Sequence, residues 1–395
     1  NRNYVSYDQF QNDTLLNPVF LNNSKEAENE IKADLIYKIA AASEVNFGAS
    51  LKYINFDSEI LFPEEFVTTF GETLPINSVN VTENFIKSSL YGLYSAFYFN
   101  RLRLNLGIRA DYFDAIENKL TVSPRLSLSY FLTERTNLNF STGIFRQTPS
   151  YIWLTLPENR KLESIQVNQF ILGISHELRE DTRLKVEGFY KDYSKYPASQ
   201  LRPYLVLANT GVGFGGAEEN YSSFGLEPLT SDGSGYSRGV ELSVQKKSSR
   251  IKHYGLASIT YSESNFTALD GIERTGQYDQ RWIINVSAGY IFNRNWEASL
   301  KFRYATGSPY TTFNNDGTQN VSNYLTRTLG DIHSLDLRVD RRWDFEGWAL
   351  ITYLDVQNVY NNKNITQVRW DIKEQKVEEN EEIGILPSIG ISLEF

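Results

Sequence analysis

The sequence predicts an all-β chain and, within that class, an antiparallel transmembrane β-barrel. Three observations lead there. Apolar residues recur with a period of two over segments of ten residues and more. Very short connections alternate with long ones along the chain. The composition is rich in aromatics, 14% of 395 residues with 25 Tyr and 24 Phe, yet polar on average, with 41% hydrophobic residues and a mean hydropathy of −0.40. That mixture suits a sheet with one greasy face and one wet face better than a large solid core.

The elements follow in order. A partial strand covers Tyr4–Phe10, and the apolar stretch Ser89–Phe99 is about strand length. Next, Leu102, Leu104, Leu106, Ile108, Ala110 and Tyr112 alternate with Arg101, Arg103, Asn105, Gly107, Arg109 and Asp111. Val122, Pro124, Leu126, Leu128 and Tyr130 stand opposite Ser123, Arg125, Ser127 and Ser129. Trp282, Ile284, Val286, Ala288, Tyr290 and Phe292 form one side of a later strand. Trp296, Ala298, Leu300, Phe302 and Tyr304 then face away from Glu297, Ser299, Lys301 and Arg303. A last strand runs over about 384–395, with Ile385, Pro387, Ile389, Ile391, Leu393 and Phe395 on one side.

Short connections fall at 42–44, 100–101, 133–135, 179–181, 248–250, 293–295 and 344–346. Long ones fall at roughly 59–82, 147–161, 198–234, 267–279, 311–327 and 361–383, with a shorter one at 114–118. Short turns therefore share one rim and long loops the other. About fifteen strands result, more than an open sheet carries without curling. No run of ~18 apolar residues marks a transmembrane helix, whereas barrel strands need only about 9–11 residues. Aromatics bracket strands at both ends, as in the interfacial girdles of a membrane barrel. A soluble β-sandwich has shorter strands, and a propeller would show a repeat of about 40–50 residues.

Energetics assigns the faces. Arg or Lys on the lipid face costs about 2–4 kcal/mol at the bilayer midplane. Arg101, Arg103 and Arg109 must therefore point into a wet lumen, as must Lys301, Arg303, Arg338 and Arg342. So dense a set of charges needs water or a polar plug.

Other functions are excluded or weakened. The net charge of −9 argues against a nucleic-acid binder. The chain has no Cys, so disulfides and Cys-based zinc sites are impossible. His176, His253 and His333 are the only histidines, and none has a partner at metal spacing. Gly211, Gly213 and Gly216 fit G-x-G-x-x-G, but the residues after them read as loop, not helix. The acidic run Glu378–Glu382 reads as a solvated loop tip. No nucleophile elbow or H-E-x-x-H occurs, so no enzyme, metal or cofactor is expected. The chain holds no Met and begins without a charged or apolar leader, so it is expected to be part of a longer precursor.

The segments "LRLNLGIRADYF" and "TVSPRLSLSYFL…STGIFRQTPSY" resemble the barrel of TonB-dependent outer-membrane receptors. Further matches follow in the same order: Gly239–Leu242 in "RGVEL", Gly307–Thr311 in "TGSPYT", Asp355–Asn361 in "DVQNVYN", and the closing "ILPSIGISLEF". The "TGSPYT" form and the "ILPSIG" ending look most like the Bacteroidota branch. The resemblance covers essentially the whole chain. It implies a barrel of about 22 strands with a plugged lumen. Residues 1–395 would supply about sixteen C-terminal strands, the plug and about six first strands being absent.

The function implied is active import across the bacterial outer membrane, energised by a TonB-type partner acting through the plug. A passive porin-like channel and a structural or adhesive barrel are the alternatives. The long loops carry Tyr151, Trp153, Tyr204, Phe214, Tyr221 and Phe224, aromatics expected in a wet vestibule as candidate ligand contacts. The ligand class stays open among iron chelates, vitamins, oligosaccharides and peptides. Further partners are outer-membrane lipid or lipopolysaccharide and a surface lipoprotein; nucleic acid is not one. Ile389, Ile391, Leu393 and Phe395 resemble the C-terminal signal read by outer-membrane assembly machinery.

Overall fold

The computed structural model describes residues 2–11, 14–61, 66–75, 78–209, 225–248, 252–371 and 374–395. Sixteen long strands dominate it: β1 (Arg2–Gln11), β2 (Thr14–Ala40), β3 (Ser43–Leu61), β4 (Val79–Tyr98), β5 (Leu102–Phe113), β6 (Leu120–Thr133), β7 (Thr136–Gln147) and β8 (Ile165–Arg179). Then follow β9 (Thr182–Ser199), β10 (Leu229–Lys246), β11 (His253–Thr267), β12 (Trp282–Ile291), β13 (Trp296–Ala305), β14 (Ile332–Phe345), β15 (Trp348–Gln357) and β16 (Leu386–Glu394). Each pairs antiparallel with the next, so the sheet is a simple meander from β1 to β16. The short strand Glu273–Thr275 adds to β11, making seventeen in the sheet. Among the described residues no helix is long and apolar enough to cross a membrane, which says nothing of a β-barrel.

The rims follow the sequence reading. Tight turns join β2 to β3, β4 to β5, β6 to β7, β8 to β9 and β14 to β15, while the other rim carries every long connection. Arg101 belongs to the β4–β5 turn, not to the strand face where alternation put it; its N–H bonds to the Tyr98 carbonyl at 3.0 Å. Ser89–Tyr98 is only the turn-proximal half of β4, and Phe99 lies in the turn. The distal part, Val79–Phe85, carries Asn80, Thr82, Glu83 and Asn84, so its apolar side, Val79, Val81 and Phe85, is interrupted at Glu83. Strands β2, β3 and β4 run for 27, 19 and 20 residues. At ~3.3 Å per residue they outreach a hydrocarbon layer of about 30 Å, even when tilted.

The two faces differ as expected. Leu90, Leu106, Ile108, Leu337, Val339, Leu354, Ile389, Ile391 and Leu393 are exposed on the apolar face. Tyr261 packs on Trp282 with centroids 5.0 Å apart at the long-loop end of that face. Phe345 stacks on Trp348 at 4.3 Å at the short-turn end. The polar face is built from cross-strand neighbours such as Ser50 and Ser89, whose hydroxyls lie 2.8 Å apart.

A recurring device on the polar face pairs a Tyr with a Gly directly across the ladder: Tyr91 with Gly48, Tyr254 with Gly289, and Tyr353 with Gly390. In each case a Cβ added to the glycine would lie 2.2 Å from a ring atom of that Tyr. The ring folds over the bare backbone and supplies the packing that the glycine lacks. On β16 this fixes the inward row, Ser388, Gly390, Ser392 and Glu394, against β15.

Candidate functional site at the long-loop mouth

The largest buried apolar cluster lies at the long-loop end, not at the sheet centre. Ile54, Phe56, Phe85 and Phe113 supply it from β3, β4 and β5. Tyr151, Trp153 and Leu154 come from a 3₁₀ turn at Tyr151–Thr155, and Tyr204, Leu205 and Leu207 from the β9–β10 connection. Phe85 stacks on Tyr151 at 5.6 Å, and Phe113 meets both rings. Alternation ends with the strand, and a second 3₁₀ turn opens at Pro157, whose fixed φ suits the first helical position.

This corrects the sequence reading of the loop aromatics. Tyr151, Trp153 and Tyr204 are 7%, 4% and 5% exposed; Tyr151 and Trp153 are buried in the loop core, and Tyr204 packs there while bordering the cavity beside it. Sequence shows that a loop is aromatic; it does not show which rings find apolar partners on distant strands. Phe214, Tyr221, Phe224 and the glycines of the G-x-G-x-x-G match lie outside the described residues.

Polar side chains lock the loops to one another and to the wall. Asn159 is fully buried; its amide donates to the carbonyls of Trp153 and Glu227 at 2.8 and 3.0 Å and accepts from the Leu229 N–H at 2.8 Å. Arg202 and Glu227 form an ion pair with side chains 4% and 0% exposed, and Ser199 donates to the same carboxylate. The Tyr204 hydroxyl donates to Glu72 at 3.0 Å. The Tyr151 hydroxyl donates to Glu28 on β2 at 2.7 Å and accepts from Lys87 on β4 at 2.8 Å. Burial, then the hydrogen bond to Glu28, raises the Tyr151 pKa, and burial, then the Glu72 charge, raises that of Tyr204; both stay neutral donors. Lys195 holds Glu163 below the usual glutamate range through a direct hydrogen bond.

Beside this core lies a cavity of about 300 Å³, bounded by five long loops. Tyr204, Tyr278, Tyr310 and Tyr324 line it with Gln277 and Gln319. Tyr278 is 68% exposed and is the ring that solvent or a ligand reaches most freely. Sequence reasoning missed it, because a lone Tyr in "GQYDQ" carries no pattern. In the same loop, burial raises the Asp279 pKa despite the adjacent Arg281, 2.7 Å away.

Apart from Arg101 in its turn, the expected lumen cations are on the polar face, and most have partners that the sequence reading did not pair with them. Arg109 binds Asp111 at 2.8 Å, Arg338 binds Asp340 at 2.6 Å, and Arg342 binds Asp344 at 2.8 Å and Glu394 at 2.5 Å. The signal was legible: in a strand, residues i and i+2 share a face, so Arg-x-Asp is a same-side pair. Arg303 reaches Glu382 at 3.3 Å. Arg103 and Lys301 are exposed, Lys301 standing opposite Asp336 in register.

The acidic run is not a loop tip. Glu378–Glu381 lies in a strand, Lys376–Glu381, that pairs with Ile365–Asp371 above the rim. Asp371, Glu374 and Glu378 bring carboxylate oxygens within 4.8 Å of one another, but Arg369 and Lys376 already neutralise Glu378 and Glu374. The three histidines stay apart: His176 bonds Thr136 at 2.9 Å, His333 bonds Tyr360 at 2.8 Å, and His253 is exposed.

Residues 1–359 match the family described as TonB dependent receptor-like, beta-barrel. The chain belongs to this family. Its members are outer-membrane β-barrel transporters and receptors, not enzymes. No curated protein matches the chain. Among solved structures it is similar to the FrpB iron transporter from Neisseria meningitidis, with 14% identity, a TM-score of 0.65, and 95% of this chain covering 56% of that one. It is also similar to the siderophore receptor PiuA from Acinetobacter baumannii, with 12% identity, a TM-score of 0.63, and 95% and 56% covered. The copper transporter OprC gives 11% identity, a TM-score of 0.66, and 95% and 57% covered. At these identities the likeness shows the fold. The chain spans about half the length of the structures it matches.

Proposed function

We propose that this chain forms the C-terminal wall and mouth of a TonB-dependent import receptor in the bacterial outer membrane. One observation carries the reading: a long meander with an apolar outer row and an ion-paired inner row ends, on one rim only, in loops interlocked around a cavity. The outer row meets lipid. The inner row lines a lumen that the rest of the full-length receptor occupies. A small ligand is captured among the loops, and work supplied by the TonB-type partner opens the path. The names of the similar structures, an iron transporter, a siderophore receptor and a copper transporter, support a small-molecule ligand.

The test is single-channel recording of the full-length protein in planar bilayers. A gated, plugged receptor gives no steady conductance. A stable open pore would overturn the reading in favour of a passive channel.

A further inference from the structure

From Leu335 to Phe345 the outward row of β14 is apolar except at one position: Leu335, Leu337, Val339, Arg341, Trp343 and Phe345. Its neighbours Arg338 and Arg342 point to the other face and pair there with acids. Arg341 makes no ion pair among the described residues. Its guanidinium carbon instead lies 3.4 Å from the ring centroid of Trp343 and 5.0 Å from that of Trp296, directly across the ladder.

The two indoles flank the guanidinium, and Trp343 is held in place by a hydrogen bond. The Trp343 Nε1–H donates to the Thr352 hydroxyl at 3.2 Å, and that hydroxyl lies 3.4 Å from the Arg341 carbonyl oxygen. Trp296 is the first residue of β13, and Arg341 is four residues from the end of β14. The site therefore stands at the aromatic belt of the short-turn rim, beside the turn that precedes β13 and about 13 Å along β14 from its last residue. An arginine facing lipid there costs only about 0–1 kcal/mol. Cation–π contact occupies the faces of the guanidinium and leaves its in-plane N–H donors unsatisfied. Those donors form a planar fork that matches a phosphate, and phosphate is the anion a bilayer offers at this depth.

We propose that Arg341, Trp296 and Trp343 bind the phosphodiester headgroup of a glycerophospholipid at the short-turn rim. The site rests on the outer row facing lipid, as in the proposed function, but is independent of transport; channel recording bears on that function and leaves lipid binding untouched.

The test is native mass spectrometry of the delipidated full-length protein in non-ionic detergent, titrated with phosphatidylglycerol. Two further arms use diacylglycerol with the same tails and inorganic phosphate. Wild type binds phosphatidylglycerol and not diacylglycerol, and Arg341→Gln weakens binding by about tenfold or more. Trp296→Leu, which keeps the charge and removes one wall, gives a smaller loss and serves if Arg341→Gln fails to fold. The proposal is overturned if a folded variant at both positions binds as wild type does, or if diacylglycerol binds equally well. It is also overturned if millimolar inorganic phosphate displaces the lipid, since the occupant would then be the free ion.

Discussion

Glu227→Gln is the most informative single change at the mouth. It keeps the shape of the side chain and removes its charge, leaving the Arg202 guanidinium buried at 4% exposure beside a neutral amide. In the native protein Arg202 Nε–H donates to that carboxylate at 3.1 Å, and Ser199 donates to it too. Breaking a buried pair from one side costs about 3–5 kcal/mol. That is an increase of roughly 10²–10⁴-fold in the local opening equilibrium. Because the pair joins loop segments and not ladder neighbours, the loss should stay local. Hydrogen exchange by mass spectrometry reads it directly: peptides over 148–161 and 199–209 exchange faster while β14–β16 stay protected. Combining Arg202→Met with Glu227→Leu removes both charges and restores most of the protection, because the uncompensated charge carries the penalty. Equal exchange in Glu227→Gln and wild type would refute the reasoning, as would equal loss across barrel strands.

Three further outcomes are expected. Gly390→Val forces Tyr353 off the backbone it covers, destabilising the β15–β16 seam by about 1–3 kcal/mol in a thermal melt, whereas Gly330→Ala, with nothing within 4 Å, leaves the melt unchanged. The Glu163–Lys195 contact lowers the folded pKa of Glu163, so its contribution is present above the ordinary value of 4.5 and is lost as pH falls through the depressed one. Hydrogen exchange around residue 163 should show that acid-dependent loosening in wild type and not in Glu163→Gln. Deleting Phe395, 96% exposed at the end of the outward row, should lower surface levels of the full-length protein more than ligand affinity per assembled molecule; unchanged surface levels count against an assembly role.

Much of the fold was legible because a half-buried strand writes its two faces into alternate residues. Ile389, Ile391 and Leu393 announced the outward row and Ser388 and Ser392 the inward one, and the paired structure keeps that division. Arg101 misled because alternation does not stop at a turn that happens to keep its phase. The mouth was far less legible. Tyr151 is fixed by Glu28, 123 residues away, and Tyr204 by Glu72, 132 residues away. Such partners are set by the meander bringing strand ends together, and no local pattern encodes them. The acidic run misled for a related reason: Glu378 reads as solvated until Arg369 is found beside it across a hairpin.

The division into lipid and lumen faces is tested most directly on β16. Residues 1–395 contain no cysteine, so single spin labels can be placed at Ser388, Ile389, Ile391, Ser392 and Leu393 of the full-length protein in lipid vesicles once any cysteine elsewhere in it is replaced. Collision with lipid-dissolved oxygen should be high at Ile389, Ile391 and Leu393 and low at Ser388 and Ser392, a period of two along the strand. Equal oxygen collision on both rows, or the reverse pattern, would contradict the account.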